Sequence, residues 1–227
     1  MRGHHVAVGV SLEGKIREHG FFLSQIIATS LIIEQKHSRQ DYPINLEVDR
    51  LNYFFSAYLN TIQSLKDASQ TATGSPLSWR DLSPTYGPFL RYSRNAITHD
   101  GSQLINAAQG LKNFIVGPLR RIDNRGEVIT FEPPQEDVLT LCGNLSKEVL
   151  GSLRDFLIRE GGKIPTPNAE DFKKGLDASL ESSFVPEFVK EMTRANRAQI
   201  EASMAGATID VVERALDAIT GVESALV

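Results

Sequence analysis

The 227-residue sequence holds one Cys, one Trp and only 7% aromatic residues. One Cys cannot close an internal disulfide, so a disulfide-stapled secreted fold and a zinc site built from several Cys are both excluded. No run of about 18 apolar residues occurs, so neither a membrane-spanning helix nor a membrane partner is expected. The opening MRGHH lacks a long apolar run after Arg2 and does not read as a secretion signal. Also missing are a GxxxxGK(S/T) phosphate loop, a GxGxxG turn after a strand, and HExxH. No cofactor and no metal is expected. What remains is 41% hydrophobic and 23% charged, an ordinary balance for a chain that builds a core. The expected setting is a soluble cytoplasmic protein.

The formal net charge of −4 is unevenly placed. Residues 80–125 hold seven basic side chains (Arg80, Arg91, Arg94, Lys112, Arg120, Arg121, Arg125) against three acidic ones (Asp81, Asp100, Asp123). Residues 130–227 hold 10 basic and 17 acidic. A general nucleic-acid coat does not suit an acidic chain. A local anion site in the central segment does suit it.

Helical periodicity dominates. Ile16, Phe22, Ile26, Ile27, Leu31 and Ile33 predict a helix over 15–38, and the stripe Leu51, Phe54, Phe55, Tyr58, Leu59, Ile62, Leu65 predicts one over 46–70. Gly74 and Pro76 then break the pattern, and Trp79 reads as the anchor of this loop to the core. A helix over 86–100 should open near Pro84 or Pro88 and stop before Gly101. Two β-rich runs around Asp123-Asn124-Arg125-Gly126 predict one β-hairpin over 113–132, with Pro118 interrupting its first run. Residues 135–159 return to helix, with Cys142 on the apolar face as a core thiol. GGKIPTPN at 161–168 reads as a linker, and shorter helices are expected near 169–182, 185–204 and 207–221. The expectation is all-α: an antiparallel helical bundle over 15–160 with a small β-hairpin insertion, then a C-terminal helical extension over 169–227. The isolated His19 and His37 are read as surface or capping residues.

One segment carries chemistry. On a wheel of about 100° per residue, Arg91, Arg94, Asn95, Thr98 and His99 share an arc of about 140°. Phe89, Leu90, Ala96 and Ile97 lie opposite. Arg offers a fixed charge and a planar fork that matches phosphate oxygens. His moves protons near neutral pH. No acidic pair that could hold magnesium accompanies them, which points to phosphate chemistry without a metal. RNA permits this, because its own 2′-OH is the nucleophile.

The run Arg94-Asn95-Ala96-Ile97-Thr98-His99 has the form R-N-x-x-x-H. It resembles the signature of the HEPN superfamily, an Arg and a His separated by four to six residues with a polar residue after the Arg. The resemblance covers residues 15–160. It implies a helical bundle of HEPN type and a metal-independent endoribonuclease that leaves a 2′,3′-cyclic phosphate and a 5′-OH. It further implies a homodimer in which two motif helices pool their side chains. Arg94, Asn95 and His99 would be catalytic: Arg94 would stabilise the phosphorane, His99 would transfer protons and Asn95 would orient it. Arg91 and Thr98 would meet the substrate RNA. A toxin or defence role, with a protein partner such as an antitoxin, belongs to the same picture. The position two past His99 is Gly101, where members linked to nucleotidyltransferases often carry Tyr. The alternative reading is a HEPN-like module that binds RNA, a nucleotide or a protein without cleaving. A helical interaction protein with no nucleic-acid role is the third.

Overall fold

The computed structural model describes residues 2–42, 44–122, 125–204 and 209–225, apart from the side chains of Arg2, His99, Asp100 and Met204. The chain is mostly helical. Helix α1 (Arg2–Ser38) is followed by α2 (Asn45–Thr73), a short α3 (Trp79–Leu82) and α4 (Gly87–Asp100). Two small hairpins come next: β1 (Ala107–Gln109) with β2 (Lys112–Phe114), and β3 (Leu119–Ile122) with β4 (Val128–Phe131). Helix α5 (Val138–Glu160) returns to the core, and α6 (Ala169–Glu181), α7 (Glu187–Ala195), α8 (Arg197–Met204) and α9 (Val211–Ser224) complete the fold.

Cross-helix contacts set the directions. Lys36 Nζ lies 2.8 Å from Glu47 Oε1, and His19 Nδ1 lies 3.0 Å from Thr61 Oγ1. Moving back along α1 therefore moves forward along α2, and the two run antiparallel. Tyr58 bonds Cys142 O, and Ser75 bonds Glu160, so α2 and α5 run the same way. The excursion over 74–137 carries the chain back to permit this. Helix α9 lies along α1 and α5: Arg214 pairs with Glu13, and Arg154 Nη1 reaches Glu223 Oε1 at 3.2 Å. Leu12, Ile16 and Ile26 of α1, Phe55 and Leu65 of α2, Leu145 and Phe156 of α5, and Ala215 and Ile219 of α9 form one core, each no more than 2% exposed. Burial of that apolar area is the main stabilising term. Cys142 is fully buried, as its apolar stripe predicts, and burial pushes its thiol pKa up.

Several expectations need correction. Helix α1 begins at Arg2 rather than near 15, because Val6 and Leu12 extend the buried stripe of Ile16. There are two hairpins where one was expected over 113–132. Pro118 has no N–H to give a ladder, so the run from Phe114 to Ile122 does not continue as one strand. Residues 112–114 pair instead with 107–109, and Leu119–Ile122 pairs with Val128–Phe131 in the register Leu119↔Phe131. The turn at Asp123-Asn124 lies outside the described residues. The helix expected over 185–204 starts after Pro186 and is broken at Asn196, whose Nδ2 donates to Met192 O at 2.8 Å and competes with the helix backbone. The last helix starts at Val211, where the Asp210 side chain accepts from the Val212 and Glu213 N–H groups; residues 205–208 of its expected start lie outside the described residues. His19 is not a surface residue: it is fully buried between α2 and α5. No helix among the described residues is long and apolar enough to cross a membrane.

Candidate functional site: the polar face of α4

Helix α4 is anchored at its N-terminal end. Before it, Glu148 of α5 accepts from Thr85 N–H at 2.7 Å and from Ser83 Oγ at 3.1 Å, and Tyr86 OH donates to Glu136 at 2.9 Å. Pro88 stands in the first turn, where its missing N–H is harmless. Gly87 lets α4 approach α3: a Cβ there would sit 2.7 Å from Trp79 O. The helix ends where the spacing predicts, at Gly101, whose φ of 66° favours glycine.

The apolar face faces inward as the wheel predicts. Phe89, Leu90, Ser93 and Ala96 are buried, and Tyr92 packs on Phe131 of β4 with ring centroids 5.4 Å apart. On the polar face Arg91 is exposed and stands 5.8 Å from the Tyr92 ring centroid. Arg94 and Asn95 are half-buried and bonded to each other: Arg94 Nη1 donates to Asn95 Oδ1 at 3.0 Å. Arg94 Nε is buried without an acceptor. An unsatisfied buried donor costs about 1–3 kcal/mol. Thr98 is exposed, its hydroxyl 3.5 Å from Asn60 of α2. The backbone at His99 continues α4, while the His99 side chain lies outside the described residues. Arg91, Arg94, Asn95 and Thr98 thus share one face. Asn95 engages Arg94, a contact that the spacing does not foretell.

The structure adds a residue that sequence reasoning passed over. Arg121 of β3, which packs against α4, is 9% exposed; its Nη2 donates to Ile122 O at 3.1 Å and its Nε is buried without an acceptor. The charge count over 80–125 was its only signal. Arg91, Arg94, Arg120 and Arg121 have no carboxylate within ion-pair distance among the described residues.

A second polar cluster lies in the core. His19 Nε2 is 3.1 Å from Ser146 Oγ, which is 2.8 Å from Tyr58 OH. Thr61 Oγ1 donates to Tyr58 O, so it accepts from His19 Nδ1–H, and Nε2 accepts from Ser146. Burial lowers the His19 pKa to about 4 and keeps the ring neutral. His19, Tyr58 and Ser146 are each fully buried, so no substrate reaches this Ser–His pair, and its role is to satisfy polar groups between helices. Among the described residues no three His, Cys, Asp or Glu side chains stand together as a metal site. Comparison with protein families, with characterised proteins and with solved structures yields no match to this chain.

Proposed function

We propose that this protein is a metal-independent endoribonuclease of HEPN type whose reaction centre is the polar face of α4. The observation that carries this reading is Arg94. Its guanidinium is oriented by neutral Asn95 and has no carboxylate within ion-pair distance among the described residues. A guanidinium so held is ready for a non-bridging phosphate oxygen. Arg91 and Thr98 on the same face meet the neighbouring backbone of the RNA.

In the reaction the RNA 2′-oxygen attacks the adjacent phosphorus and loses its proton to a general base. The bond from phosphorus to the 5′-oxygen breaks, and that oxygen takes a proton from a general acid. His99 supplies one of these transfers, and the His99 of a second copy supplies the other. This is why the reading includes a homodimer with its twofold axis near α4. Arg94 stabilises the negative charge that builds on phosphorus, and Asn95 acts as the positioning residue for Arg94.

The test is a mixed RNA pool incubated with purified protein in EDTA, beside a His99→Ala variant. Cleavage by wild type alone, with 2′,3′-cyclic phosphate ends, is the expected result. Binding without cleavage under every condition replaces this reading with the non-catalytic module. Cleavage that survives His99→Ala removes the motif from the reaction.

A further inference from the structure

Between the second half of α2, the α3 segment and the first turns of α4 lies an open cleft of about 570 Å³. Its lining includes three cations, Lys66, Arg80 and Arg91, and no acidic residue. Two carboxylates stand beside it. Asp67 lies 3.4 Å from Lys66 Nζ, and Asp81 is occupied by the N–H and hydroxyl of Ser78 at 3.1 and 2.6 Å. Arg80 and Arg91 have no carboxylate within ion-pair distance among the described residues. The cleft also presents two aromatic rings. Trp79 is half-buried against the core, with Lys66 Nζ 5.6 Å from its ring centroid, and Tyr92 lies under Arg91. The close approach of Gly87 to Trp79 O fixes the wall of the cleft to α4.

We infer that this cleft binds one nucleotide unit, with its phosphate between Arg91, Arg80 and Lys66 and its base against the Trp79 indole. The chemistry is specific to that class. A free anion would use the cations and leave the rings idle, and an apolar ligand would leave Arg80 and Arg91 uncompensated. A base on an aromatic face is worth about 1–3 kcal/mol, and Arg adds charge and planar hydrogen bonding to phosphate. The inference deepens the proposed function, and it rests on that reading only for the claim that the unit belongs to RNA. Arg94 follows Arg91 by one turn, and His99 lies about 12 Å further along the helix than Arg91. A strand whose base sits in the cleft therefore continues along α4 past Arg94. The cleft is a subsite that holds a nucleotide flanking the scissile phosphate.

Trp79 is the only Trp in the chain, so its fluorescence reports on this cleft alone. The test titrates the full-length protein with AMP, with adenosine and with inorganic phosphate. AMP should change Trp79 emission saturably with a midpoint below about 1 mM, and adenosine and phosphate should each bind at least about tenfold more weakly. Arg91→Ala, at an exposed position, should weaken AMP about tenfold or more with an unchanged circular dichroism spectrum. Lys66→Met should do the same, whereas Arg94→Ala should leave AMP binding within about twofold. Calorimetry with Trp79→Phe checks that the optical signal and the binding coincide. No saturable change up to about 10 mM AMP overturns the inference. Phosphate matching AMP overturns the base contact, and AMP binding that ignores Arg91→Ala overturns the site. Cleavage with no AMP binding sinks this inference alone. AMP binding without cleavage sinks the catalytic reading alone.

Discussion

Two stretches of the chain are rich in cations and hold them differently. In α6–α8, four of the five cations, Lys174, Lys190, Arg194 and Arg197, have a carboxylate within 4 Å, Lys173 being the exception among the described residues, and Arg197 has two, Asp177 at 2.8 Å and Glu201 at 2.7 Å. In α4 and β3, Arg91, Arg94 and Arg121 have none at that distance among the described residues; Arg94 meets a neutral amide and Arg121 a backbone carbonyl. The two regions also differ in packing. Helices α6 and α7 bury no residue, whereas α4 sends Phe89, Leu90, Ser93 and Ala96 into the core. Paired charges on a solvated helix cancel their own field and contribute little to stability. Unpaired arginines on a packed face keep their field and draw an anion to it. A segmental charge count says where charge is, and the pairing pattern says where charge is free to act.

The sharpest way to break this comparison is to remove the proposed proton-transfer residue of α4. His99→Ala should lower RNA cleavage by at least about 100-fold, the lower end for a general acid or base, and leave RNA affinity within a few-fold. Single-turnover cleavage and fluorescence anisotropy measure the two. On the proposed reading Arg94→Ala should weaken both rate and affinity, because its charge would also meet the ground-state phosphate. Arg94→Lys should restore affinity better than rate, since Lys keeps the charge and loses the fork. If Arg94→Ala cleaves and binds like wild type, the free charge of α4 serves no phosphate.

His19 sharpens the comparison from inside the core, where polarity is met without charge. Its native pKa is held near 4 by burial, against an ordinary 6.5. Between these values the unfolded chain binds a proton that the native chain does not. Stability from this group is complete above pH 6.5 and falls as the pH drops toward 4, by about 3 kcal/mol across the window. Urea midpoints at pH 7, 5.5 and 4.5 should therefore fall more steeply for wild type than for His19→Gln, which carries no titrating ring. Parallel curves would mean that His19 is not buried neutral.

His19 also shows where sequence reading stops. It lies on one stripe with Leu12, Ile16, Leu23 and Ile26, all buried, so its burial was legible from spacing had the stripe been followed through a polar residue. The expected bounds of α4, its inward face and the β3–β4 pairing rest on local signals: Pro88, Gly101, the wheel and the run 128–131. The β1–β2 hairpin rests on none. Ala107, Ala108 and Gln109 have little strand preference, and pairing with 112–114 defines them. The same holds at the site. Arg91, Arg94, Asn95 and Thr98 share a face because of helical spacing, which the sequence displays. The unpaired state of Arg94, the burial of Arg121 and the meeting of Lys66, Trp79 and Arg91 depend on packing between distant segments, which it does not display.

The smallest expected effects concern stability, and they test the comparison most directly. Arg197 ties α8 to α6 through Asp177, yet its side chain is 36% exposed and water screens both of its ion pairs. Arg197→Ala should shift the thermal midpoint by less than about 2 °C, with the shift vanishing in high salt. Arg121 is the opposite case: mostly buried, with a donor that finds no acceptor. Arg121→Met keeps a long apolar stem for packing against α4 and removes both the charge and the orphan N–H. Loss of a buried group that lacks a counter-charge is neutral or stabilising. The midpoint of Arg121→Met should therefore equal or exceed that of wild type in thermal denaturation at low salt. A drop of more than about 5 °C would give Arg121 a structural role that the unpaired Nε does not suggest, and the contrast between paired and unpaired regions would then mark packing rather than readiness for an anion.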